Sequence, residues 1–532
     1  MGEAVTKTMR ILASSKGKAA RHALMLAVAS PEPVVSLAAS REVLAKNNVN
    51  GIFELIRQFD QLTPEQQELL TADAGKLAQP LRMALINGDS TIQENAVTII
   101  KQWRPYSVIP LLLNHLEQGP VSSHQGIVQW AVNFLVDYFT HEFQGLIPRK
   151  AYYSYTLVDI IDALEKGFAS WRRHERQIFI DVFFRLSERF DGLGDEAREM
   201  IANANHPAHA VFIRKLTGSQ DPCVMRFLLR NLESMLAPSS VLIAVARRTD
   251  RIFIRLLLES VGYQPSIALR DNLAKIRRFE WFGNFRLLLD ELGEEGHHRF
   301  LVELVRHSGL PDHEKMIVYE NILRYGKRQG KVAVVELMRY VTTSDGDRFV
   351  IQALDDEAPE VQAVALSQLR TRKIRNSTAR LLQYIDSPHE CVRKTLVSEL
   401  PEFRLDRMLP SLGALSPEQQ NYMISVIKKI DPNMRETITR ELENPEQRHK
   451  DFLLDLIAEE KIVAAFETSL MKFVEREQDI ALRLQAIKLL ALGVSDASYR
   501  FLQSTATSEK NHDVSVLAKR ICEIRDMVKK RK

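Results

Sequence analysis

Two stretches of this chain, 31 residues apart, share one design. "LDDEAPEVQAVALSQL" runs from Leu354 to Leu369, and "IDSPHECVRKTLVSEL" from Ile385 to Leu400. Aligned, Asp355 falls on Asp386, Val361 on Val392, Ala365 on Leu396 and Leu369 on Leu400. From each valine the apolar positions recur at i, i+4 and i+8, which is one face of an α-helix. Each stretch is preceded by another apolar run, "FVIQALD" or "ARLLQYID", that ends in aspartate. Aspartate suits turns because its carboxylate accepts nearby backbone N–H groups. Pro359 and Pro388 follow, and proline is tolerated where a helix begins because its missing donor is not needed there. The unit is therefore helix, tight turn, helix.

The same spacing recurs at Val35, Ala39 and Val43; at Ile92, Ala96 and Ile100; and at Val224, Leu228 and Leu232. Leu482, Ala486 and Leu490 follow Asp479, and Val514, Ala518 and Cys522 follow Asp513. A pair of short amphipathic helices cannot bury its apolar face alone, but a stack of such pairs can. The pattern predicts an all-α chain, an α-solenoid of stacked antiparallel helix pairs. It is expected to be irregular over 1–292 and regular over 293–532, as one continuous stack. Breaks between helices are expected at 62–66, 117–124, 190–196, 236–240, 292–298 and 342–347.

"VRKTLVSEL" (Val392 to Leu400) and "LRLQAIKLL" (Leu482 to Leu490) resemble the V-R-x-x-A-x-x-x-L second helix of the HEAT-repeat family. The likeness is to its short bacterial type, similar to phycobilin-lyase HEAT modules. It covers about 340–532 and is diffuse before that. It implies a ladder in which Arg393 and Arg483 pair with aspartates of neighbouring units, drawn from Asp355, Asp386, Asp479 and Asp513. Gln362, Met225, Gln93 and Ser515 stand where the family has its arginine, so the ladder is incomplete. The resemblance specifies a fold, and a fold does not imply a function.

Composition narrows the function classes. Lys and Arg total 72 against 68 Asp and Glu, a net +4 over 532 residues, which does not fit a nucleic-acid packager. Cys223, Cys391 and Cys522 are far apart and odd in number, so neither a disulfide framework nor a zinc finger is expected, and a cytoplasmic setting fits best. No apolar run reaches the roughly 18–20 residues of a membrane span. "ALMLAVA", Ala23 to Ala29, is too short for a signal core and is read as a first repeat helix. P-loop, GxGxxG and GxSxG spacings are missing. His206 and His209, or the group Glu294, Glu295, His297, His298 and His307, lack the convergence that zinc requires. No cofactor and no catalytic constellation is expected.

Two segments stand out as a candidate binding surface. "LRTRKIRNSTARLL" (369–382) carries Arg370, Arg372, Lys373, Arg375 and Arg380 with no acid before Asp386. It reads as an inter-helix turn, so a solvated loop is the plain expectation and phosphate or acidic-partner binding the sharper one. "RRFEWFGNF" (277–285) adds Arg277, Arg278 and Trp281, with Phe279, Phe282 and Phe285 forming a helical core stripe. Trp281 lies off that stripe; burial against a neighbouring repeat is the commoner outcome, and an exposed contact residue the other. "RYGKRQGK" contributes Arg324, Lys327, Arg328 and Lys331. The expected function is a non-enzymatic scaffold or adaptor that binds a protein on its concave surface. The alternative is nucleic-acid binding through the basic segments, as in the HEAT-like alkylpurine DNA glycosylases. Tetrapyrrole handling rests on the repeat type alone.

Overall fold

The computed structural model describes residues 2–119, 124–142, 151–187, 195–412, 414–444, 448–460, 463–493 and 495–530. Among them every regular element is helical: 34 α-helices and four short 3-10 helices, with no strand. None is long and apolar enough to cross a membrane. The expected breaks at 117–124 and 190–196 fall partly outside the described residues.

Helices stack on their next-but-one neighbours, as repeated pairs must. Arg328–Met338 packs on Pro359–Leu366, and that helix packs on Glu390–Glu399. The same alternation takes Met434–Glu443 to Val463–Arg476, and Lys450–Glu460 to Ile480–Ala491. The repeat face is the buried one. Val361, Ala365 and Leu369 are fully buried, as are Val392 and Leu400, with Leu396 nearly so. The first of these helices stops at Leu366, and Leu369 reaches the core from the turn that follows.

Helix starts follow local chemistry. "LTPEQ" and "LSPEQ" each build a capping box: Thr63 Oγ1 accepts the Gln66 N–H while Gln66 reaches back to the Thr63 N–H, and Ser416 with Gln419 repeats this. Both place proline in the first helical turn, where no donor is missed. Asp89, Asp250 and Asp479 cap their helices by accepting backbone N–H groups two or three residues on.

Two compact units make up the chain: Met1–Leu292 with Glu303–Lys315, and Gly293–Val302 with Met316–Lys532. The first unit has an aromatic core. Phe184 stacks on Phe212 with ring centres 5.4 Å apart, and Phe183 and Phe227 meet edge to face at 5.6 Å, the offset geometries that aromatic quadrupoles favour. The core of the second unit is mainly aliphatic, with Leu453, Leu470, Leu490, Leu502 and Val514 fully buried.

A recurrent buried arginine closes the C-terminal ends of helices, whose last carbonyls have no partner in their own helix. Arg248 donates from Nη1 to the Leu216 carbonyl and from Nη2 to the Ser219 carbonyl, both at 2.8 Å. Its Nε donates to Asp250 Oδ2 at 2.7 Å. Arg176 does the same for the helix ending at Gln118, donating to the Leu116 carbonyl and, at 2.8 Å, to the Gly119 carbonyl. Where there is no arginine an amide serves: Asn272 Nδ2 donates to the carbonyls of Leu232, 2.9 Å away, and Ser234, 2.7 Å away. A planar guanidinium spans two carbonyls one turn apart, and its charge complements the negative end of the helix dipole.

Candidate functional site

The basic segment after Leu369 splits by direction. Lys373 and Asn376 take left-handed backbone conformations, φ 55° and 60°, which turn the chain sharply. Ile374 is buried and its N–H donates back to the Leu369 carbonyl at 3.0 Å. Arg372 and Ile374 therefore point inward, and Lys373 and Arg375 outward.

Arg372 is the second unit's version of the helix cap. It donates to the carbonyls of Met338 and, at 2.7 Å, Val341, while its Nε meets Asp347 Oδ1 at 2.8 Å. Its side chain is 8% exposed. A Cβ on Gly346 would collide with this guanidinium, so glycine there makes room for it. This corrects the expectation of a solvated loop: Arg372 is a structural cap and presents nothing to a partner. Arg370 forms a two-pronged pair with Glu402, one arm 2.9 Å long. Arg380 is half-buried, and its Nε has no acceptor among the described residues. Lys373 and Arg375 alone in this group are exposed.

"RYGKRQGK" is similarly engaged. Arg324 meets Glu320 at 3.0 Å, Lys327 donates to the Gly293 carbonyl, Arg328 lies between Glu295 (3.2 Å) and Glu360 (3.1 Å), and Lys331 meets Asp356 at 2.8 Å.

The ladder implied by the family resemblance is replaced by other pairs. Asp355 is exposed; its neighbour Asp356 binds Lys331 and accepts the Ala358 N–H at 2.9 Å. Asp386 meets Lys429. Asp479 turns back on its own helix as a cap, and Asp513 is exposed. Arg393 donates to the Ser387 carbonyl at 2.7 Å. Arg483 donates to the Val474 carbonyl at 2.9 Å and pairs with Glu509. The carboxylates that do bridge, Asp356 and Glu509, each also accept an N–H of their own turn, so the turn that aims the side chain decides the pairing. The Arg483 hydrogen bond and the Asn511 N–H hold Glu509 below the ordinary carboxylate range. At Glu477 burial pushes upward, but Lys450 and the N–H groups of Asp479 and Gln478 prevail and lower it.

Arg277 and Arg278 are exposed, while Trp281 is 6% exposed, Phe279 2% and Phe285 7%. The expected single helical stripe is split: Phe279 precedes a 3-10 helix, Glu280–Asn284, and Phe285 starts the next α-helix. Trp281 packs on Phe279 and Phe282, with ring centres 5.4 and 4.4 Å away.

Two open cavities lie one in each unit. One, of about 420 Å³, is lined by Lys450, Lys472, Phe473, Arg476, Glu443 and Glu477 in the second unit. Its two lysines are paired, Lys450 with Glu477 at 2.7 Å and Lys472 with Glu443 at 3.0 Å. The other, of about 220 Å³, lies against Trp281 in the first unit. Among the described residues no three His, Cys, Asp or Glu side chains gather to hold a metal. His206 accepts the Ala208 N–H at 3.1 Å, and His209 lies 2.7 Å from the Met200 carbonyl.

The first unit also has an apolar ridge that sequence reasoning missed. The turn after Pro222–Leu232 exposes Met235 (74%) and Leu236 (84%). The turn after Arg251–Val261 exposes Tyr263 (57%), with Ile267 (73%) just beyond. Ser260 donates to Glu233, and Asn272 to the Ser234 carbonyl, so the two turns are neighbours. Exposed apolar residues in two successive inter-helix turns were the available signal, in "SMLAPSS" and "GYQPSI".

No protein-family model matches the chain, and no curated protein matches it. Among solved structures, a chain in the structure of Kap95p binding RanGDP is similar over 98% of this chain and 82% of that one, at 10% identity and a TM-score of 0.24. A likeness that loose bears on neither partner nor activity.

Proposed function

We propose that the chain is a non-enzymatic helical-repeat scaffold that binds another protein. The observation that supports this most is the ridge of Met235, Leu236, Tyr263 and Ile267. Large apolar side chains left in water on adjacent turns favour a partner that covers them. The basic segments weigh little for nucleic acid, because Arg370, Arg372, Arg328 and Lys331 are committed to carboxylates and carbonyls of this chain. Phosphate binding needs cations free to displace counterions.

The test is capture from source lysate, with and without nuclease, by the wild type and by a Leu236→Asp, Tyr263→Ser variant. A protein set that survives nuclease and is lost with the variant, at unchanged melting temperature, supports the scaffold reading. Retention that disappears with nuclease overturns it in favour of nucleic acid.

A further inference from the structure

Helix His512–Lys530 packs on Ile480–Ala491 and Asp496–Ser508 through Val514, Ala518 and Cys522, all three buried. Its opposite side carries a second stripe. Val516, Arg520, Glu523 and Met527 fall at i, i+4, i+7 and i+11, one helix face about 16 Å long. All four are exposed, Val516 to 47% and Met527 to 60%. Arg520 and Glu523 form no ion pair among the described residues. One flank of the stripe holds exposed Lys519 and Asp526; the other holds Ile524, 51% exposed, and half-buried Leu517. Asp526 accepts the Tyr499 hydroxyl, and Arg525 lies over the Tyr499 ring at 5.2 Å, so the helix is held firmly on its own repeat.

Reversed, this stripe is complementary to itself. Set two copies of the helix antiparallel, with a two-fold axis level with the midpoint of Ile521 and Cys522. Val516 then meets Met527 of the second copy, and Arg520 meets Glu523 of the second copy. The two-fold axis also brings like flank to like flank. Lys519 comes level, to about 3 Å along the axis, with Asp526 of the second copy, and Leu517 to the same margin with Ile524. Parallel docking would instead stack arginine on arginine and glutamate on glutamate. A polar pair within an apolar seam fixes direction and register in this way. We propose that this face is a homodimer interface, in which helix His512–Lys530 docks antiparallel on the same helix of a second copy of this chain and Arg520 pairs with Glu523 across the two-fold axis. The contact is one helix wide, so the dimer is weak and concentration-dependent. It does not depend on the scaffold reading, whose ridge belongs to the first unit.

The test is analytical ultracentrifugation of the purified full chain from about 1 μM to about 0.3 mM, the range of a small interface. The expected result is a monomer–dimer equilibrium. Arg520→Glu sets like charge against Glu523 across the axis, and Glu523→Arg sets like charge against Arg520. Each should weaken dimerisation about tenfold or more. Both positions are exposed, so the melting temperature should stay constant. An equal mixture of the two single variants restores both pairs in trans and should dimerise to within about threefold of wild type. No effect confined to one helix reproduces that rescue. A wild type that stays monomeric over the whole range overturns the proposal. A dimer that Arg520→Glu leaves unchanged overturns it too, since the contact then lies elsewhere. So does a mixture that remains as monomeric as its components.

Discussion

Both units join their repeats by the same two means, which differ in how much they enclose. In the first, neutral backbone carbonyls are gathered by buried polar side chains: Arg176, Arg248 and Asn272 each span two of them. Cation–carboxylate pairs also link successive helices: Lys331–Asp356, Arg370–Glu402, Lys450–Glu477 and Arg483–Glu509 in the second unit, and Lys215–Asp181 and Arg251–Glu291 in the first. Arg372 is the second unit's example of the first device. A buried cap leaves several groups stranded when it is lost, and so does a pair as enclosed as Lys450–Glu477, whereas the more open Arg370–Glu402 pair returns its members to water.

The largest effect should come from a feature common to both halves, the buried helix face. Leu400 is fully buried, so Leu400→Asp places an unpaired charge between repeats and should cost roughly 4 kcal/mol or more. An unchanged helical melt would mean the repeat face has been misassigned. Next comes Arg248→Met, which strands two carbonyls and the Asp250 carboxylate; about 3 kcal/mol is expected. Arg370→Met should cost about 1 kcal/mol or less, as expected for a pair whose members are 29% and 41% exposed. Equal losses in urea melts of these two variants would erase the distinction between a buried cap and an open pair.

A pH titration sharpens the comparison further. His174 lies in the first unit, with Nε2 2.8 Å from the Gly167 carbonyl and Nδ1 accepting the Arg176 N–H. Burial first, and then the Arg176 charge against the Gly167 hydrogen bond, hold it below the ordinary histidine value. His115 is lowered by burial and by Arg82 and Arg176. A histidine depressed in the folded state contributes stability above its unfolded pKa of about 6.5, and that stability is lost as pH falls from there through the folded value. Glu477 and Glu509 are depressed carboxylates, so their contribution persists down to about pH 4.3 and is lost only below it. Hydrogen exchange should show the end of helix Ile109–Gln118 loosening as the pH falls below about 6.5, while the junction at Glu509 stays protected until below about 4.3. His174→Gln should flatten the first response. The smallest effect is Arg375→Ala, three positions from Arg372 and exposed: within about 0.5 kcal/mol of wild type, against a loss for Arg372→Met like that for Arg248→Met.

That last contrast marks where sequence reading stopped. Helix faces were legible because burial is periodic and Val361, Ala365 and Leu369 carry the period. Helix starts were legible because a cap and its partner lie within three residues, as in Thr63 and Gln66. The arginine caps were not, because their acceptors are backbone carbonyls, which every residue has and no residue type announces. Arg370, Arg372 and Arg375 look alike in a string of letters; the left-handed turn at Lys373 gives them different fates. The misplaced ladder has the same origin. Asp355 and Asp356 are adjacent, and which of them faces Lys331 depends on the turn rather than on composition. At Trp281 the letters offered two outcomes, burial or exposure, and the residue is buried, its N–H without an acceptor among the described residues.

The arginine caps also impose an order on synthesis. Each guanidinium lies later in the chain than the helix end it completes: 60 residues for Leu116 and Arg176, 32 for Leu216 and Arg248, and 34 for Met338 and Arg372. A ribosome delivers the chain from its N-terminus. Each of these helix ends must therefore wait, with bare carbonyls, until the later segment has emerged. A stalled chain that stops between Gly119 and Arg176 would carry an unfinished end that a chaperone or protease can recognise, and one that reaches past Arg176 would not.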